Sequence, residues 1–227
     1  MMSVKKFVKD NGLLLVFTAL FLVCVMGQAL AGNALYNETQ AGHGLARVSC
    51  WQYLRTGQFL QGMFSNWQAA ILQLASLIIF GVFLRQRGAP HSMQPGEPAG
   101  KSEKEGGKAG KRARERRPRR GLKQGNWVQR NSLSLAFCLL FGAVFVLHLA
   151  SGARAYNEQR MLEHQPAMTV NEFLGSSKFW FTTLQTWEAE YMAIALYIFL
   201  SIFLRQEGSP ESKPVDAPNS ETGDPNE

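Results

Sequence analysis

The sequence predicts an all-α integral membrane protein: four transmembrane helices forming two parallel tandem helical hairpins, with a disordered basic linker between them and an acidic tail behind. Three observations carry this. Four long apolar runs interrupt the chain, the chain repeats itself after 120 residues, and its lysines and arginines gather at one end of each run. The mean hydropathy of −0.12 conceals the pattern, because it averages very apolar runs with a very polar linker and tail.

The first run, Leu13–Ala31, holds 19 residues with no charge, and the third, Leu133–Ser151, holds 19 in which only His148 titrates. Ala69–Leu84 is uncharged over 16 residues, and Ala189–Leu204 carries one charge in 16, Glu190. A helix needs about 20 apolar residues to cross the roughly 30 Å of hydrocarbon in a bilayer. The shorter runs reach that length if Trp67 and Trp187 mark the interfacial starts of their helices. A soluble helix would show a polar stripe opposite its apolar one, whereas Leu13–Val25 offers Thr18 alone. Lys5, Lys6 and Lys9 precede a run ending Ala29-Leu30-Ala31, a pattern that cleavable signals share. The equivalent later run is internal and cannot be a signal, so the first is read as a retained anchor helix.

The repeat organises everything else. Asn11–Ser92 aligns on Asn131–Ser212 without a gap, with 23 of 82 positions identical and clustered in blocks. Tyr36-Asn37-Glu38 meets Tyr156-Asn157-Glu158, Trp67 meets Trp187, and Phe83-Leu84-Arg85-Gln86 meets Phe203-Leu204-Arg205-Gln206. Gly88, Pro90 and Ser92 fall on Gly208, Pro210 and Ser212. The expected domains are therefore residues 1–92 and 127–212 for the two copies, 93–126 for the linker and 213–227 for the tail. Each copy has two spans, so both insert with the same orientation, and the first helix should meet the third or the second the fourth. Lys5, Lys6, Lys9, Arg85, Arg87, Arg130 and Arg205 flank the runs on one side, which places both termini and the linker in the cytoplasm and the two long loops outside.

The block Phe203-Leu-Arg-Gln-Glu-Gly-Ser-Pro-Glu-Ser-Lys-Pro214 resembles the C-terminal signature of an uncharacterised family of bacterial integral membrane proteins. Trp187-Glu-Ala-Glu-Tyr191 resembles that family's Asn-Trp-Glu-Ser-Glu-Phe type of motif. The resemblance implies residence in a bacterial cytoplasmic membrane and no activity. The first copy departs from it, with Gln68 and Ala70 where the second has Glu188 and Glu190.

In the outer loops, Phe59, Leu60, Met63, Phe64 and Trp67 recur at helical spacing, as do Phe173, Leu174, Trp180, Leu184 and Trp187. Two readings stay open: separate helices lying at the interface, or second and fourth helices that begin early and project outward. From Arg85 to Arg130 there are 14 Lys plus Arg against 4 acids, a difference of +10. This composition is that of a disordered segment. Lys111, Arg112, Arg114, Arg116, Arg117, Arg119 and Arg120 form a juxtamembrane run suited to anionic lipids, which gain about 1 kcal/mol per nearby cation. No aromatic residue interleaves the run, so no nucleic acid is expected. The residues from Glu207 onward hold six acids and one lysine, an acidic extension expected to be disordered.

The candidate polar sites are matched pairs. Gln28 and His148 lie near the outer ends of the first and third runs, where an interhelical hydrogen bond between them is expected. Glu38 and Glu158 sit just beyond, available to a cation or basic partner, or to capping and loop bonds. Glu188 and Glu190 follow Thr186, which reads as a hydroxyl N-cap with acids complementing the helix dipole. Cys24 and Cys138 read as small apolar packing residues; Cys50, in a loop, could be unpaired or bridge to another chain. No nucleophile, zinc or phosphate-loop motif occurs, so no cofactor or metal and no enzyme activity is expected. The leading reading is a structural or accessory membrane protein, with a homo-oligomer or membrane protein as partner. A small transporter or channel, its path between the repeats, is the alternative left open.

Overall fold

The computed structural model describes residues 4–92 and 126–222; the basic run from Lys111 to Arg120 lies outside them. Eight helices occur among the described residues, with no strands. They are α1 (Val4–Asp10), α2 (Gly12–Gly42), α3 (Cys50–Tyr53), α4 (Gly57–Phe83), α5 (Trp127–Arg130), α6 (Ser132–Leu162), α7 (Val170–Leu174) and α8 (Ser177–Phe203). The long helices α2 and α6 start at Gly12 and Ser132 and end at Gly42 and Leu162; α4 and α8 start at Gly57 and Ser177 and end at Phe83 and Phe203. All four bounds are offset by 120 residues. Each of these helices is long and apolar enough to cross a membrane.

Each is also longer than a crossing requires. At about 1.5 Å per residue, the 31 residues of α2 and α6 extend about 46 Å, and the 27 of α4 and α8 about 40 Å. Phe59 to Trp67 and Trp180 to Trp187 thus belong to the early turns of α4 and α8, as the second of the two open readings has it, whereas Phe173 and Leu174 lie in the separate short helix α7. The short helices α3 and α7 precede them.

The described residues form two compact units, each drawing on both sequence copies. One comprises the residues up to Phe64 together with Leu147–Phe179. Its architecture is written twice. Asn37 donates from Nδ2 to the Val48 carbonyl (2.9 Å) and accepts the Val48 N–H (2.7 Å). Asn157 does both with Met168, at 2.8 Å each. Each loop then enters its short helix through a reciprocal capping box, Ser49 with Gln52 and Thr169 with Glu172. The bonds from Thr169 hold the Glu172 carboxyl below its usual range. Tyr53 packs between Tyr36 and Phe59 with ring centroids 5.5 Å from each, and Phe173 lies 5.6 Å from Tyr156 and 5.5 Å from Phe179. Thr56 and Ser176 each donate to the carbonyl of the central aromatic and accept the N–H of the third.

The glycines at 32 and 152 make room for this trio. A Cβ on Gly32 would fall 2.8 Å from Tyr53 Cζ, and one on Gly152 would fall 3.0 Å from Phe173 Cε1. Gly57 faces something less yielding, since a Cβ there would overlap the backbone of Arg154 and Ala155. Ala29, Tyr53 and Phe59 form the buried centre, with Val25, Tyr36, Val48 and Met63 among the residues around it.

The second unit comprises the rest of α4, α6 and α8 with the segments that follow α4 and α8. The repeated Phe-Leu-Arg-Gln-x-Gly-x-Pro-x-Ser block proves to be a helix stop. Arg85 donates from Nη1 to the carbonyls of Val82 and Leu84, both at 3.1 Å. Arg205 does so to Ile202 (3.1 Å) and Leu204 (3.0 Å). Charge at the negative end of the helix dipole adds to these bonds. Gly88 and Gly208 take φ of 87° and 77°, the left-handed region where glycine carries no Cβ penalty. The Gln86 and Gln206 N–H groups then donate to Ser92 and Ser212 Oγ, each at 2.8 Å.

Three sequence expectations need correction. Thr186 is not an N-cap: it lies nine residues into α8, where its hydroxyl donates back to the Thr183 carbonyl at 2.8 Å. Glu188 and Glu190 are therefore interior to a helix that starts at Ser177. Cys24 and Cys138 are exposed rather than packed. The segment from Ser212 to Thr222 is folded around Lys213, which is 2% exposed. Its Nζ donates to the carbonyls of Pro218 (3.3 Å), Asn219 (3.3 Å) and Glu221 (3.1 Å). Burial, then the neighbouring Arg205 charge, pushes the Lys213 amine below its usual range. Three carbonyls satisfy an ammonium's three donors, which composition alone does not reveal.

Gly32→Ala and Gly57→Ala should each destabilise the purified protein by about 1–3 kcal/mol through overpacking. Gly57→Ala should cost more, because backbone cannot step aside. Gly27→Ala meets nothing within 4 Å and should leave thermal stability unchanged or raise it slightly through helix propensity. Thermal unfolding in one detergent checks all three.

Candidate functional site

Polar side chains on apolar helices are the places to look for chemistry, and they gather in two clusters. In the first unit, Glu158 on α6 accepts at Oε1 from Arg154 Nε (3.0 Å) and from the Gly57 backbone N–H (3.1 Å). Arg154 and Glu158 are one helical turn apart, so the pair is local, while Gly57 opens α4 and brings the first copy onto the second. Glu158 Oε2 is buried with no hydrogen-bond partner among the described residues. An open recess of about 480 Å³ runs along α6 from Ala150 to Met161, with Arg154 and Glu158 in its wall.

The second cluster joins α4 to α8 within the second unit. Trp187 Nε1 donates to Gln68 Oε1 at 3.2 Å. Gln73 Nε2 donates to the Glu190 backbone carbonyl at 2.9 Å. Ser76 Oγ and Tyr191 OH share a hydrogen bond of 2.9 Å. This seam links the second helix of one copy to the second helix of the other, yet its partners are not repeat equivalents. Gln73 corresponds to Ala193, Ser76 to Leu196 and Tyr191 to Ile71.

The matched pairs singled out in the sequence do not share matched surroundings. Gln28 is exposed, its Nε2 lying 3.3 Å from where a Cβ on Gly62 would sit. His148 is fully buried and stacks on Phe179 with centroids 5.3 Å apart, so the expected Gln28–His148 hydrogen bond is not formed. Glu38 is exposed, whereas Glu158 is held as described; both lie inside their helices rather than just past them. Glu188 is exposed, and Glu190 enters the seam through its carbonyl. Lys111, Arg112, Arg114, Arg116, Arg117, Arg119 and Arg120 lie outside the described residues. No group of three or more His, Cys, Asp or Glu that could hold a metal occurs among the described residues.

Arg154, Gln68, Ser76 and Tyr191 are site residues that the matched-pair logic missed. For Arg154, Ser76 and Tyr191 the signal was the opposite one: positions where a polar residue in one copy meets Ala34, Leu196 or Ile71 in the other.

The class these features define is an all-helical protein with four helices long and apolar enough to cross a membrane, two of which, α4 and α8, are joined by polar side chains. A family described as "Domain of unknown function (DUF6766)" matches residues 4–224. The chain belongs to that family. No curated protein matches it, and no solved structure does.

Ser76→Ala and Tyr191→Phe should each cost about 0.6 kcal/mol, the usual worth of an interhelical hydrogen bond in a membrane protein. Together they should cost less than their sum, because the second change removes no further bond. A double-mutant cycle on thermal stability reads the coupling; strict additivity would mean the hydroxyls do not pair.

Proposed function

We propose that this is a non-enzymatic membrane protein with a structural or accessory role, made of two tandem hairpins inserted in parallel in a bacterial cytoplasmic membrane. The observation that carries the reading is how the seam spends its polar groups. Gln73, Ser76 and Tyr191 bond to one another's helices instead of turning toward a shared polar space, as residues lining a substrate path would. Such bonds serve to hold helices together where apolar burial gains little. The distribution of lysine and arginine supports cytoplasmic termini and linker, and the basic run in that linker supports contact with anionic lipids of the same leaflet.

Single-cysteine variants, made after replacing Cys24, Cys50 and Cys138, test both parts at once. In spheroplasts treated with a membrane-impermeant maleimide, Gly42→Cys and Glu163→Cys should label, whereas Gly100→Cys and Gln73→Cys should not. Labelling at position 100 would overturn the topology. Labelling at position 73 would favour the transporter reading, since water would then reach the seam.

A further inference from the structure

The contact that joins the copies in the first unit is one-sided. Its donor face is the start of the first copy's second helix, where buried Gly57 gives its N–H to Glu158 and lies against the Arg154–Ala155 backbone. Its acceptor face is the outer part of the second copy's first helix. In the repeat register, the second copy's donor face is Ser177, and the first copy's acceptor face is Ala34, Leu35 and Glu38. All four of these residues are exposed, and Glu38 makes no ion pair among the described residues.

We propose that a second copy of this chain occupies the open faces, with Glu38 of one chain docking on Ser177 of the next. A contact between two different faces is heterologous, and it repeats from chain to chain, as a ring where the rotation closes and as an open array where it does not. Glu38 retains the carboxylate of Glu158, and the Tyr-Asn-Glu block around it is unchanged. Ser177 in place of Gly57 cannot approach as closely, because a Cβ at the internal contact already overlaps backbone. Its hydroxyl supplies a donor that glycine lacks, and the larger Leu35 in place of Ala155 fills the wider gap. The inference rests on the membrane reading, which sets the copies of all chains at one depth with both faces on the outer side.

Two differently tagged chains, one Glu38→Cys and one Ser177→Cys, are co-expressed with the native cysteines replaced, and isolated membranes are oxidised. The expected product is a mixed-tag disulfide dimer several-fold more abundant than that from Leu45→Cys with Ser177→Cys. A mixed dimer no more abundant than this control, in chains that sediment with membranes, overturns the inference and leaves the membrane reading standing. Predominant 38–38 and 177–177 bridges also overturn it, since they mark a face-to-face contact. Chains absent from the membrane fraction overturn both.

Discussion

The side-chain amides of Asn37 and Asn157 hold the two helix-to-helix loops and what packs beneath them together. A loop between two helices has no ladder to satisfy its backbone, and an unmet buried polar group costs about 1–3 kcal/mol. Each asparagine supplies a two-point bond to a residue eleven positions on, Val48 or Met168, as a neighbouring strand would. That bond fixes where the loop returns. The capping boxes at Ser49 and Thr169 follow directly, then the short helices, then the buried Tyr53 and Phe173 over Gly32 and Gly152. The loop-side turns of the long helices are held by this sequence of contacts.

The two copies share that local construction and differ where they meet other elements. Gly57 is buried against the opposite copy while Ser177 is exposed; Glu158 is bonded while Glu38 is not; Gln68 accepts from Trp187 while the equivalent Glu188 is exposed. The shared hairpin construction tolerates conservative exchanges such as Ser49 for Thr169 and Tyr53 for Phe173. The contacts made by one copy alone fall where the chemistry changes, as at Gly57 and Ser177 or Ser76 and Leu196.

This division explains what could be read in the sequence. The apolar runs, the repeat and the family signature are local features, and local bonds carry them: the Phe-Leu-Arg-Gln-x-Gly block is a helix stop in both copies. Tyr-Asn-Glu was visible as a block, but its chemistry was assigned to the wrong member. Asparagine does the work in both copies and glutamate in one. The reading of Thr186 as an N-cap failed because hydropathy marks where a helix enters lipid, not where it starts. The Lys213 cluster was hidden by composition, since acidic and polar residues supply carbonyls whatever their side chains are. The seam was hidden because it is asymmetric, and a search for matched pairs passes over it.

The central claim is that two asparagine side chains fold the loops after α2 and α6, and hydrogen exchange at individual amides in lipid nanodiscs tests it most directly. Val48 and Met168 lie outside every helix, yet their N–H groups donate to Asn37 and Asn157. Both should exchange much more slowly than the amide of Ala46, which lies in the first loop beside Val48, and Asn37→Ala should release Val48 while leaving Met168 protected. Exchange at Val48 and Met168 as fast as at Ala46 in the unaltered protein would contradict the account.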